Sequence, residues 1–78
     1  MSAWQLIDNK LCKSFSFDDF SRAFSFMVQV AMLAEKMNHH PHWCNEWNKV
    51  EIKLSTHDAG NVVTEKDHRL AEAIDKLL

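Results

Sequence analysis

The sequence predicts an α+β fold of two layers, in which a four-stranded antiparallel sheet carries helices on one face in the order ββαββα. Two observations lead to this fold class. Short segments that alternate apolar and polar residues come in adjacent pairs joined by turn-forming residues, as in antiparallel hairpins. Each pair is followed by a segment with apolar residues at helical spacing, and amphipathic helices cover one face of such a sheet. With 78 residues, the chain is expected to form a single domain over 1–78.

Residues 4–17 predict the first hairpin. A short apolar start is followed by Asp8-Asn9, which favours a turn, and by regular alternation over 11–17. Lys13 falls on the apolar side of this alternation. A lysine there is typical of an edge strand, so the second strand is predicted to lie at an edge of the sheet.

A long helix is predicted over about 18–37, because no Gly or Pro interrupts the chain before Pro41. Ser16 and Asp19 have the spacing of a capping box at its start. Its apolar residues form two neighbouring stripes, one of Phe20, Ala23, Phe24, Met27, Ala31 and Ala34 and one of Phe26, Val30, Leu33 and Met37. A two-layer monomer of this size covers only one face of a helix, so the second stripe predicts contact with another subunit.

The second half of the chain repeats the pattern of the first. Residues 43–47 and 50–56 predict two strands that turn at Asn48-Lys49. After a break at Gly60, a closing helix is predicted to begin at the capping-box pair of Thr64 and Asp67 and to bury Leu70, Ile74 and Leu77.

Composition excludes several classes of function. The net charge is -2 and no basic cluster occurs, so direct binding of nucleic acid is not expected. No apolar run reaches the ~20 residues that span a membrane, and a single glycine excludes a glycine-rich phosphate loop. Cys12 and Cys44 form no disulfide framework and no secretory signal is present, so we expect a reducing, cytoplasmic location.

Histidines are concentrated in one part of the sequence, where His39, His40, His42 and His57 occur. An imidazole titrates near pH 6.5 and can both donate and accept a proton at neutral pH, which general acid and base catalysis requires. Pro41 restricts His40 to extended geometry, and His57 falls on the polar side of the strand that it ends. These positions make His39, His40 and His57 the candidate catalytic residues.

Each of these residues also has a structural interpretation. A single loop histidine is most often solvated, and His42 and His68 are interpreted in that way. A zinc site of His39, His40, His57 and Cys44 lacks the usual C-x-x-C or H-x-x-x-H spacing, so no metal is expected. Cys44 is interpreted as buried filler between aromatic residues, and Asp67 as either a helix cap or a site residue.

Together these residues resemble the signature of the pterin-4a-carbinolamine dehydratases, which recycle the pterin cofactor of aromatic amino acid hydroxylases. The signature is met by Glu35, His39-His40-Pro41, Trp47, His57 and Asp67. The similarity continues in Arg22-Ala23-Phe24, Asn48-Lys49-Val50 and Leu54-Ser55-Thr56-His57, and it covers the chain from Trp4 onward. Two differences stand out: family members usually have a further stretch with a helix ahead of Trp4, and Asn38 replaces the Asp of many relatives.

The resemblance implies that a 4a-hydroxytetrahydropterin loses water to give the quinonoid dihydropterin, as in a 4a-hydroxytetrahydrobiopterin dehydratase, with no metal or organic cofactor. It implies that His39 and His57 exchange the acid and base roles and that His40 binds the pterin. Asp67 is implied to fix an imidazole tautomer, and Pro41 and Trp47 to bind or orient the substrate. A homotetramer is expected, with an edge-strand dimer as the alternative.

The alternative function is a non-catalytic interaction module. An animal member of this family also serves as a dimerisation partner of a homeodomain transcription factor through a helix surface. A third possibility is a metal-binding protein. The three candidate histidines favour the enzyme, because a scaffold has no need of three imidazoles close together.

Overall fold

The computed structural model describes residues 3–78, and the order ββαββα is confirmed. The strands are β1 (Gln5–Ile7), β2 (Lys10–Ser16), β3 (His42–Glu46) and β4 (Lys49–Leu54), and the helices are α1 (Phe20–Met37) and α2 (Glu65–Asp75). A short 3-10 helix over His57–Ala59, which no sequence pattern predicted, follows β4. In residues 3–78, no helix combines the length and apolar character needed to cross a bilayer.

The four strands form one antiparallel sheet in the order β1-β2-β4-β3. The first turn lies at Asp8-Asn9 as predicted, and both residues have positive φ (50° and 62°), as a two-residue hairpin turn with the twist of the strands requires. In the second hairpin Glu46 pairs with Lys49. The second turn is therefore one residue earlier than predicted.

Both helices pack on one face of the sheet, as predicted. Their buried residues join those of β2 and β4 in a single core made of Leu11, Phe15, Ala23, Phe26, Val30, Val50, Ile52, Leu54, Leu70, Ala71 and Ile74. Each strand residue of this group alternates with residues on the other, open face of the sheet. The core thus holds the end of α1, the end of β4 and the start of α2 in fixed relative positions.

The start of α1 differs from the prediction. Asp19 itself is the N-cap, because its side chain accepts a hydrogen bond from the Arg22 N–H at 2.8 Å. Ser16 is the last residue of β2 and does not cap the helix. The predicted Ser16–Asp19 capping box is therefore wrong.

The prediction that α1 is apolar on two faces is confirmed, although its residues divide differently. The buried face consists of Ala23, Phe26, Val30 and Ala34. It combines two alanines of the first predicted stripe with Phe26 and Val30 of the second, so the second stripe is not the one left free for another subunit. The outer face, defined here as Phe20, Phe24, Val28 and Met32, is exposed. Two of its rings stack on each other with centroids 6.0 Å apart.

Lys13 lies on a central strand, so the prediction that β2 is an edge strand is wrong. Its ammonium donates to Asp75 Oδ1 at 2.8 Å, and its side chain is only 6% exposed. The same carboxylate accepts the Trp4 indole N–H at 3.0 Å. This partner from the end of α2 compensates the lysine charge inside the sandwich.

Candidate active site

The end of α1 determines where the two adjacent histidines lie. Asn38 adopts the left-handed conformation (φ 51°, ψ 44°), which asparagine tolerates better than most residues. The His39 N–H donates back to the Ala34 carbonyl at 3.0 Å, which closes the last turn. Asn38 is thus compatible with the turn that positions His39.

His39 is fixed by a buried carboxylate from the first turn of α2. Its Nε2 lies 2.6 Å from Asp67 Oδ1, and Asp67 is fully buried. An ionised carboxylate only accepts hydrogen bonds, so Nε2 carries the hydrogen. In the neutral ring Nδ1 is therefore unprotonated and available as a base.

The second oxygen of Asp67 accepts two further hydrogen bonds. Thr56 Oγ1 donates to Oδ2 at 2.7 Å, and the Thr64 N–H donates to the same oxygen at 2.8 Å. Burial acts to raise the pKa of Asp67, but the hydrogen bonds from His39, the Thr64 N–H and Thr56 together outweigh it, so the pKa lies below its ordinary value. The carboxylate is thus kept ionised beside the imidazole.

The other two candidate histidines are more accessible to solvent. His57 opens the 3-10 helix, and its Nδ1 lies 3.2 Å from Asn61 Oδ1. The strand before it ends at Leu54, two residues earlier than predicted. His40 Nε2 lies 2.8 Å from Glu35 Oε1, and both side chains are exposed.

The three histidines line one cavity of about 260 Å³ between the end of α1, the segment after β4 and the start of α2. Its wall is completed by five residues, which are Asn38, Ser55, Thr56, Asp58 and Lys66. Asp67 does not line the cavity, and it contacts two residues that do, His39 and Thr56. The volume is near the lower limit for small-molecule sites.

The other residues considered for the site lie outside the cavity lining. Trp47 is 64% exposed in the turn between β3 and β4, with a φ of 51° that is unusual for a bulky side chain. Pro41 is half-buried directly before β3, and His42 and His68 are exposed. Cys44 is exposed on the open face of the sheet, so its interpretation as buried filler is wrong.

Sequence reasoning missed most of the polar wall of the cavity. Ser55 and Thr56 were noted only as part of a similar segment, and Asp58 and Lys66 were not noted at all. Gly60, which ends the 3-10 helix with φ 90°, was the one local signal that the chain turns here. The four residues considered for a zinc site do not come together, because Cys44 does not line the cavity of the three histidines. No group of three possible metal ligands occurs within 3–78.

This arrangement is suited to proton transfer on a small ligand. One imidazole has a fixed tautomer supported by a buried anion, and a second can approach the ligand from the segment after β4. Together they offer a base and an acid within one cavity.

Known proteins are similar to this chain over nearly its whole length. The family model for pterin 4 alpha carbinolamine dehydratase matches residues 1–77. A protein of Prochlorococcus marinus (strain NATL2A) is 55% identical over 74 residues, which are 94% of this chain and 77% of the relative. One of Rhizorhabdus wittichii (strain RW1) is 50% identical over 76 residues, with coverages of 95% and 77%. Both relatives are provisionally named pterin-4-alpha-carbinolamine dehydratases.

Two solved structures are similar to the whole fold. The crystal structure of a transcriptional coactivator/pterin dehydratase from Brucella melitensis has a TM-score of 0.90 and 45% identity, and the match covers 95% of this chain and 80% of that one. A pterin dehydratase-like protein, described as a RuBisCO assembly factor in the alpha-carboxysome, has a TM-score of 0.82 and 24% identity, with coverages of 97% and 89%. The second likeness concerns the fold alone.

Proposed function

The chain belongs to the pterin 4 alpha carbinolamine dehydratase family, and from this premise we propose that it dehydrates a 4a-hydroxytetrahydropterin to the quinonoid dihydropterin. The observation that carries the proposal is the cavity lined by His39, His40 and His57, with His39 held by the buried Asp67. Loss of water from a carbinolamine needs a base at the ring N–H and an acid at the departing hydroxyl. Two imidazoles supply both without a metal or an organic cofactor.

In the proposed reaction, His39 Nδ1 removes the proton from the ring N–H of the pterin. The electron pair of that bond forms the new C=N double bond, while the bond from C4a to the hydroxyl oxygen breaks. A protonated His57 gives its proton to the departing hydroxyl, which leaves as water. One proton is taken up and one is given, so exchange with solvent restores both histidines, and they exchange roles in the reverse direction.

His40 is proposed to bind and orient the pterin. It lines the same cavity, and its ring contacts the exposed Glu35 carboxylate at 2.8 Å. Pro41 supports this role because its ring restricts His40 to extended backbone geometry. Trp47 does not line the cavity of its own chain.

A homo-oligomer is the second part of the proposal. The outer face of α1 carries Phe20 and Phe24 at 51% and 53% exposure, together with Val28 and Met32. Four apolar residues at i, i+4, i+8 and i+12 form a stripe that a second copy of the same helix can cover by ridges-into-grooves packing. We favour a tetramer built on helix contacts, with a dimer through an edge strand as the alternative.

We place the reaction in the cytoplasm. Cys12 and Cys44 are both free thiols, and Cys44 is exposed to solvent. Unpaired, accessible cysteines are typical of a reducing compartment.

The deciding experiment is a dehydratase assay with 4a-hydroxytetrahydropterin as substrate. The purified protein should accelerate the appearance of the quinonoid dihydropterin over the uncatalysed rate. A variant with both His39→Ala and His57→Ala should lose this acceleration, and His42→Ala, which changes an exposed histidine on β3, is the matched control. A wild-type protein that is folded and gives no acceleration would refute the proposal.

The second candidate is an interaction module, which the exposed outer face of α1 favours. The similar Brucella protein is described as both a transcriptional coactivator and a pterin dehydratase. An interaction module needs the α1 face and not the histidines. The same dehydratase assay therefore separates the two functions.

A further inference from the structure

Thr56 makes a directional hydrogen-bond chain that ends on the buried carboxylate of the site. It is buried between β4 and the 3-10 helix, and its Oγ1 lies 2.7 Å from Asp67 Oδ2 and 2.5 Å from Thr64 Oγ1. A hydroxyl has one proton, and an ionised carboxylate has none to give. Thr56 therefore donates to Asp67, and Thr64 donates to Thr56.

The cap of α2 does not require this contact. The capping box consists of the Thr64 side chain, which accepts from backbone N–H groups of the first turn, and of Asp67, which accepts the Thr64 N–H at 2.8 Å. Both halves of the box come from α2 and its N-cap. Thr56 is a third partner, which comes from the segment after β4 and belongs to no part of the box.

The two oxygens of Asp67 are consequently divided between two tasks. Oδ2 receives two donors, the Thr56 hydroxyl and the Thr64 N–H, whereas Oδ1 receives His39 Nε2 alone. Rotation of the carboxylate about its terminal bond would have to break the contact with Thr56. The threonine thus fixes the plane of the carboxylate relative to the imidazole.

We propose that Thr56 is a positioning residue of this site, whose hydroxyl holds the plane of the Asp67 carboxylate so that Oδ1 stays in line with the Nε2–H of His39 and fixes the orientation of that ring. The kinetic part of this inference rests on the proposed dehydratase function. The structural part concerns the hydrogen bond between His39 and Asp67 and does not depend on the reaction. Neither part involves contact between Thr56 Oγ1 and the pterin.

The test uses Thr56→Val, which keeps the branched shape and removes the hydroxyl, and Thr56→Ser, which keeps the hydroxyl. Ser14→Ala, at an exposed position of β2, is the control for loss of a hydroxyl elsewhere. The first readout is the chemical shift of the His39 Nε2–H proton and its exchange with water, measured by ¹H–¹⁵N NMR in the absence of substrate. The second is kcat and KM in the dehydratase assay.

We expect the same Nε2–H signal in the wild type, Thr56→Ser and Ser14→Ala, and a weaker hydrogen bond in Thr56→Val, seen as an upfield shift and faster exchange of that proton. Loss of the outer partners of metal-binding histidines typically costs about 10- to 100-fold in activity, and we expect a loss of the same order here. The valine variant should therefore lose that factor in kcat with KM nearly unchanged, and serine should restore it. A folded Thr56→Val with the wild-type Nε2–H signal and kcat, or a serine variant as impaired as valine, would overturn the inference.

A measurement on the wild type alone tests the inference even if the valine variant does not fold. The Thr56 hydroxyl proton should exchange slowly with water, because it is buried and bonded to a carboxylate; rapid exchange would contradict the inference. If the wild type has no dehydratase activity, the proposed function fails. The NMR measurements on the His39 Nε2–H and the Thr56 hydroxyl protons still decide the role of Thr56.

Discussion

Replacement of Asp67 by asparagine changes the site without changing its shape. Three donors point at the carboxylate: His39 Nε2–H, the Thr56 hydroxyl and the Thr64 N–H. An amide offers one oxygen and one NH₂ group, so it cannot accept from both sides. If its oxygen faces the two threonines, its NH₂ group faces Nε2 and requires the tautomer with hydrogen on Nδ1.

The substitution should lower both the rate of the reaction and the stability of the fold. With Nδ1 occupied by hydrogen, His39 can no longer act as the base, and general base assistance is worth about 10²- to 10⁴-fold in rate. Stability should also fall at neutral pH. A hydrogen bond to a charged group contributes roughly 1.5–3 kcal/mol, against roughly 0.5–1.5 kcal/mol for one between neutral groups, and the asparagine leaves no charged acceptor.

The loss of stability should depend on pH in a definite direction. The pKa of Asp67 in the folded protein lies below the ordinary value of 3.8, since its hydrogen bonds outweigh the effect of burial. A lowered pKa adds stability that is fully present above the unfolded value and is lost as the pH falls through the lower folded value. The difference in unfolding free energy between wild type and Asp67→Asn should thus shrink as the pH falls below about 4.

Urea unfolding of both proteins from neutral pH to about pH 3, together with the dehydratase assay at neutral pH, measures both effects. A folded Asp67→Asn protein with wild-type kcat would refute the assignment of the tautomer. A stability difference that stayed constant down to pH 3 would refute the assignment of a lowered pKa.

Three further outcomes are expected. In the dehydratase assay, His39→Ala and His57→Ala should each lower kcat by about 10²- to 10⁴-fold, and the double variant should lose less than the product of the two factors. In the same assay His40→Ala should raise KM, and His42→Ala should be neutral. Dehydratase activity should survive exhaustive chelation, and loss that an added metal restores would contradict the mechanism. Sedimentation should show at least a dimer that Phe24→Glu weakens; a wild-type monomer at micromolar concentration would remove the oligomer proposal.

Local patterns in the sequence predicted most of the fold. Both hairpins, the long helix and the Thr64–Asp67 capping box follow from residues close together in the chain, and the structure contains them. Lys13 shows the limit of such reasoning. Its partner Asp75 lies 62 residues away, so alternation along β2 could not show that the charge is compensated inside the sandwich.

The candidate site was predictable in its residues and less so in its geometry. The resemblance named His39, His40, His57 and Asp67, and residue chemistry agreed for the histidines. No pattern in the sequence showed that Thr56 contacts the carboxylate, because that contact depends on how the end of β4 meets the start of α2. Side chains brought together by tertiary packing leave no periodic signal in either segment.

The candidate site depends on the first turn of α2, because Asp67 belongs both to the capping box of that turn and to the contact with His39. Helix ends can open locally at a free energy below that of global unfolding. Each time this turn opens, Asp67 leaves His39 while the sheet and α1 stay intact. Only molecules in which this turn is closed therefore have the arrangement that the proposed activity needs. Mild heat or denaturant should lower the activity before the rest of the protein unfolds.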